Sequence, residues 1–472
     1  MDVIELNNAS RSDLMGSEKI SKLIIQFALP AILALVVSAL YNIVDKAFIG
    51  QFVGQNGITA VTVSNPYSRV ADAFTLLAGA GGNALLAIRL GEKKREVAEP
   101  ILGNCFVLIA IFSAVMITLG YAFTEPILHT MGTSDEVMPQ ASLYLRICLI
   151  GFFFNAVTVG IGPFLRTDGS PRSMMFFTSI GCVLNFGLDP LMIHVFKWGI
   201  AGAAIATVFS QFISFILIVH YFTLGKRSSF KLRAKHLRLR MDIIKESVVL
   251  GFSSFILQLV NSLSQTIMNV SLTAYGAATA VGGDIAIAAV GITTSIGMFF
   301  LLPASGIQQA VAPILGYNYG AKNYERVLNV LKIGLLFSTA LSTLGFLIIM
   351  IFPGSLCSLF GAKDDLLSRS IWTARMYNLC LPLITPSLLS PQFFQATAQP
   401  RKALLLSLNR NLIVKVPLMF ILPLFFGLDG VIYSLPVTDI VASSIAGFFL
   451  IKEAKKYKRL SLEQAERLPE PQ

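Results

Sequence analysis

The stretch "LNFGLDPLMIHVFKWGIAGAAIAT", Leu184–Thr207, decides how this chain is read. It is apolar enough to lie in a bilayer, yet it carries a carboxylate at Asp189 with a proline, Pro190, directly behind it. An ionisable group at membrane depth is costly and marks a functional position by default. The proline supplies no N–H and displaces the carbonyl four residues back, here that of Phe186. Backbone oxygen freed in this way is tolerated where it lines a cavity, and there it can help hold a cation.

The rest of the chain has the same character. Of 472 residues, 54% are hydrophobic and only 13% are charged, about half the charge of a soluble domain. Mean hydropathy is +0.70. A soluble protein of this composition would expose large apolar patches, so the bilayer is its solvent. Apolar runs long enough to cross recur near 23–50, 57–87, 99–123, 140–164, 173–195, 199–224, 244–275, 284–315, 327–352, 371–395, 402–424 and 428–451. Each has the ~20 residues a span needs. The runs are continuous rather than alternating, which predicts helices and not a barrel. The expected fold is an all-α polytopic membrane protein with twelve transmembrane helices. The first 20 residues are polar and a full span follows, so no cleavable leader is expected.

The net charge of +11 does not point to nucleic acid, because the bases sit in short runs between apolar segments. Alternate connections carry Lys93, Lys94 and Arg95; Arg166 and Arg172; the run from Lys226 to Arg240; Lys322 and Arg326; and Arg401 and Lys402. The intervening connections hold few bases: Lys197, Lys363 and Arg369. This asymmetry predicts a multi-pass protein of the cell membrane with both termini in the cytoplasm. The cysteines 105, 148, 182, 357 and 380 form no C-x-x-C pair and read as space-filling thiols. The four histidines have no ligand spacing.

The chain also repeats itself. "FLRTDGSPRS" (Phe164–Ser173) resembles "FFQATAQPRK" (Phe393–Lys402), "DPLMIH" from Asp189 echoes "VPLMFI" from Val416, and Gly91-Glu-Lys matches Gly320-Ala-Lys. The offset stays close to 229 residues. The expected organisation is an N-terminal six-helix lobe (1–224), a basic cytoplasmic connecting loop (225–243), a C-terminal six-helix lobe (244–454) and a cytoplasmic tail (455–472). An even number of spans per half makes the repeat parallel, a transporter design.

Depth along each helix follows from a rise of ~1.5 Å per residue. Asp45 and Asp189 both lie late in outward-running helices, Asn185 is one turn before Asp189 on the same face, and Thr207 is two turns into the next helix. These four side chains converge on one layer. Two facing carboxylates in low dielectric cannot both stay charged; they share a proton or hold a small cation. Neutralisation of Asp45 by Lys46 is a poor alternative, because adjacent helical residues point apart. Arg69 and Asp72 are expected to pair in the second helix, and Lys415 with Asp439 across the last two. Arg146 and Arg375 are near enough to helix ends to snorkel.

The chain resembles the multidrug and toxic-compound extrusion (MATE) family of secondary transporters, of the bacterial multidrug-export type. The motifs that carry the resemblance are "FALPAI" around Pro30, "NIVDKAFIG" around Asp45, "GAGGNALLAIRLG" from Gly79, "RTDGSPR" from Arg166 and "LNFGLDPLMI" around Asp189. It covers nearly the whole chain. It implies two pseudo-symmetric six-helix lobes, and export of amphipathic, often cationic drugs in exchange for H⁺ or Na⁺ by alternating access. The family's N-lobe coupling site maps onto Asp45, Asn185, Asp189 and Thr207, where Na⁺ is the one metal to consider. Its bending proline maps onto Pro30, with Pro190 as a second bending point. Tyr41 and Asn155 are assigned to the drug cavity. A second MATE branch carries acids in helices seven and ten, whereas this chain has Gln265 and Asn269 in helix seven and no acid in 376–395.

Small-molecule drugs and membrane lipids are the expected partners, the protein is taken as a monomer, and no cofactor is expected beyond the coupling ion. The alternative is a flippase for a lipid-linked oligosaccharide or another amphipathic lipid. Such a protein should line its cavity with several bases, and here the embedded bases are few. An ion channel is disfavoured by the lack of a filter motif. An enzyme is not expected, because no nucleophile pairs with a base at usable spacing.

Overall fold

The computed structural model describes residues 11–276 and 283–466, and these are almost entirely helical. Among the described residues ten helices are each long and apolar enough to cross a membrane. The last of them, Pro400–Gln464, is two spans in one, turned at Gly427, whose φ of 55° and ψ of −136° leave the helical region. The tenth span is broken. Asp364–Tyr377 ends in a turn, a short 3₁₀ segment covers Leu381–Leu383, and Thr385–Ala396 resumes the helix. Pro382 and Pro386 account for the break, since neither ring nitrogen can donate to the turn before it. With the split and the broken segment the spans number twelve. The sequence reading of 371–395 as one continuous helix is therefore corrected to two half-helices. The part of the tail beyond residue 466 lies outside the described residues.

The duplication is written into the backbone. Lys93 and Lys322 are both left-handed, at φ 61° and 57°, and so are Gly169 and Ala398, at 77° and 54°. Each pair is 229 residues apart, as are the short helices Thr124–Thr130 and Pro353–Leu359. A left-handed residue ends a helix by capping its last carbonyls, and glycine adopts that conformation at no steric cost. Ala398 and the two lysines adopt it without that advantage.

The chain forms two compact units. The first comprises Met1–Lys19 and Leu29–Gln258, and the second Ile20–Ala28 and Leu259–Gln472. These bounds differ from the halves of the repeat. The start of the seventh helix, Met241–Gly276, belongs to the first unit because it packs against the second span with no room to spare. A methyl group added at Gly81 would overlap the Ser247 carbonyl, and one added at Gly251 would overlap the Leu77 carbonyl. The connecting loop is docked on the first unit as well. Asn104 accepts from the Arg240 N–H at 2.6 Å, Glu99 accepts from the Lys231 N–H at 3.1 Å, and Glu99 pairs with Arg233 and His236.

Asp168 anchors the turn between the fourth and fifth spans. It is fully buried, accepts from the Tyr221 hydroxyl at 2.6 Å, and accepts from the Ser229 N–H at 3.1 Å. Burial pushes its carboxyl above the usual range, and these donors offset only part of that rise.

Candidate functional site: two carboxyls in contact

The first span, Ile20–Phe52, carries Asp45; the fifth, Pro171–Pro190, carries Asn185 and Asp189; the sixth, Gly199–Thr223, carries Thr207. All three belong to the first unit at these positions. Asp45 is 8% exposed and Asp189 is 0% exposed. The two carboxyls are in hydrogen-bond contact. The amide of Asn185 is oriented by its partners. Its nitrogen donates to Asp189 Oδ2 at 2.7 Å, and its oxygen accepts from the Thr207 N–H at 3.1 Å and from Thr207 Oγ1 at 3.3 Å. The four residues expected to converge do so. Lys46 is exposed where Asp45 is buried, in keeping with adjacent residues pointing apart.

The members are not equivalent. Asp189 is tethered through Asn185 to Thr207, while Asp45 has Asp189 as its hydrogen-bonding partner. Each carboxyl keeps one buried oxygen, Oδ1, that meets no donor among the described residues. A buried unsatisfied oxygen is expensive, and two carboxylates can bridge only through a proton or a cation. Immediately beyond Asp189 the α-helix gives way to a π-helical turn, Leu191–Val195, a form concentrated at functional sites.

Tyr41, one turn before Asp45, joins this group through Thr207. Tyr144 and Cys148 on the fourth span also lie within electrostatic reach of Asp45, and they bond to each other. Neither was singled out from the sequence, where a tyrosine and a cysteine in an apolar run look like filling. Asn155 lies elsewhere, donating to Asp72 Oδ1 at 3.3 Å. Arg69 lies within electrostatic reach of Asp72, though the two form no ion pair within 4 Å among the described residues. Pro30 sits ten residues inside the first helix, two residues past the point where the chain passes from second to first unit.

The second unit holds a different charge pattern. Asp439, 5% exposed, pairs with Arg410 at 2.8 Å and not with Lys415. A π-helical turn over Asn409–Val414 explains the change: it inserts a residue into the helical register and brings Arg410 round to Asp439. Gln265 donates to Asn269 at 3.1 Å in helix seven.

A twelve-span helical protein with an internal parallel repeat and a buried carboxyl pair has the design of a secondary transporter. The MatE family model matches residues 30–191 and 254–421, one match in each half, and the chain belongs to that family. The multidrug export protein MepA of Staphylococcus haemolyticus is 24% identical over 433 residues, covering 91% of this chain and 93% of the relative. MepA of Staphylococcus aureus strain MSSA476 is 23% identical over 418 residues, covering 89% and 90%. Among solved structures, an outward-facing multidrug resistance MATE family transporter of the MOP superfamily superposes with a TM-score of 0.89 at 21% identity, covering 95% of this chain and 99% of that one. A MATE in its bent conformation superposes at 0.88 and 22% identity, covering 96% and 99%.

Proposed function

We propose that the protein is a secondary active multidrug exporter that moves amphipathic, often cationic drugs outward in exchange for H⁺ or Na⁺ by alternating access, with both termini in the cytoplasm. The observation that carries this reading is the contact between Asp45 and Asp189, each with a buried oxygen that meets no donor among the described residues. Such a pair exchanges a proton or Na⁺ for the positive charge of a drug, because one compensating charge is enough for the site at any moment. Asn185 and Thr207 hold Asp189 in place, and Tyr41 shapes the edge of the site. Asp45 rides on the helix that contains Pro30, so a change in its charge acts on a helix that already lacks a backbone hydrogen bond. The MATE structures described as in the straight and the bent conformation, both similar to this fold, support a protein that works through more than one conformation. The names of the MepA relatives support multidrug export.

The test is export of a fluorescent cation from proteoliposomes under an imposed H⁺ or Na⁺ gradient. Export that follows one gradient and collapses with it supports the reading. Downhill leakage indifferent to both would end it.

A further inference from the structure

A cavity of about 610 Å³ opens in the first unit where the fifth span begins and the sixth ends. Arg172, His220, Lys226 and Arg227 stand around it, Phe176 and Phe177 line its floor, and no acid lines it. Several bases elsewhere on this unit are matched. Arg89 pairs with Glu92 and Glu246, Arg95 with Asp13, Arg233 with Glu99 and Arg240 with Asp242. Arg172, Lys226 and Arg227 form no ion pair among the described residues. Tyr221, which also lines the cavity, spends its hydroxyl on Asp168, so it offers its ring. Phe176 is 58% exposed and carries the apolar lining out onto the surface of the fifth span. The cavity thus joins a cationic rim to an apolar, outward-exposed lining.

We infer that this cavity binds an anionic glycerophospholipid, its phosphodiester held by Arg172, Lys226 and Arg227 and an acyl chain laid on Phe176 and Phe177. A free phosphate would use the bases but would gain nothing from the phenyl rings. Unpaired bases beside a span attract anionic headgroups, and the aromatic floor adds apolar contact that grows with chain length.

Native mass spectrometry of the detergent-purified protein tests this, titrating dioleoyl phosphatidylglycerol against dioleoyl phosphatidylcholine, with inorganic phosphate as competitor. The wild type should prefer the anionic lipid, and millimolar phosphate should leave it bound. Changing Arg172, Lys226 and Arg227 together to Gln should weaken the preference on the order of 100-fold, at roughly fivefold per base. Arg172→Gln alone, at an exposed position, should weaken it about fivefold and serves if the triple variant fails to fold. Displacement of the lipid by phosphate would mean a soluble-anion site. An unchanged preference in either folded variant would place lipid selectivity elsewhere. Each of these results overturns the inference.

Discussion

Asp439→Ala should destabilise the protein, and the size of the loss can be worked from its surroundings. The carboxylate is 5% exposed and meets Arg410 Nε at 2.8 Å. At that separation the attraction is about 6 kcal/mol with an effective dielectric of ~20, and desolvation of both groups offsets most of it. Truncation leaves the guanidinium without its partner, which for a fully buried pair costs ~3–5 kcal/mol. The Arg410 side chain is 26% exposed, so water relieves part of that and the loss falls to ~2–3 kcal/mol. The assay is a double-mutant cycle by thermal melting in detergent, combining Asp439→Ala with Arg410→Met and, separately, with Lys415→Met. The first cycle should show a coupling above ~1.5 kcal/mol and the second a smaller one. Additivity in the first cycle, or stronger coupling in the second, would refute the assignment of Arg410 as the partner.

Gly251→Ala should cost ~1–3 kcal/mol or more, because its methyl group would overlap the Leu77 carbonyl and only a shift of whole helices relieves it; melting temperature reads this directly. Pro30→Ala should keep ion binding and slow export, since it restores a hydrogen bond in the first helix without touching the carboxyls; unchanged turnover would move the bend elsewhere. Asp168→Asn should flatten the dependence of stability on pH. Burial raises the native carboxyl above its unfolded value, so the native state binds the proton more readily. Its contribution is greatest at low pH and declines as pH rises through the native value. Melting curves from about pH 4 upward should fall less steeply in the variant than in the wild type.

What could be read from the sequence was whatever the bilayer dictates. Continuous apolar runs, one-sided bases and an offset of 229 residues fix the spans and the repeat, because each is a statement about solvent or duplication. The carboxyl pair was legible too: Asp45, Asn185, Asp189 and Thr207 are polar residues at matching depth, where polarity is rare. Tyr144 gave no such signal, since an aromatic in a span is ordinarily filling. The broken tenth span did leave one, in the paired prolines of "LPLITP" (Leu381–Pro386), but uniform hydropathy hides a break that changes no side chain's polarity. The exchange of Lys415 for Arg410 was not legible. It depends on a π-helical turn that shifts the register by one residue, and no 3.6-residue periodicity reports that. The early part of helix seven joins the first unit through two glycines, Gly81 and Gly251, whose closeness belongs to tertiary packing.

We propose that Asp189 and Asp45 exchange one coupling ion for drug. The most direct measurement is gradient-driven export of a fluorescent cation by purified Asp189→Asn in proteoliposomes, beside the wild type and with matched insertion and melting temperature. The amide stays neutral whatever the ion does, so coupled export should fall to the level of empty vesicles while drug still binds. Export by the variant at the wild-type rate, under the same gradient, would rule out Asp189 as the coupling carboxyl.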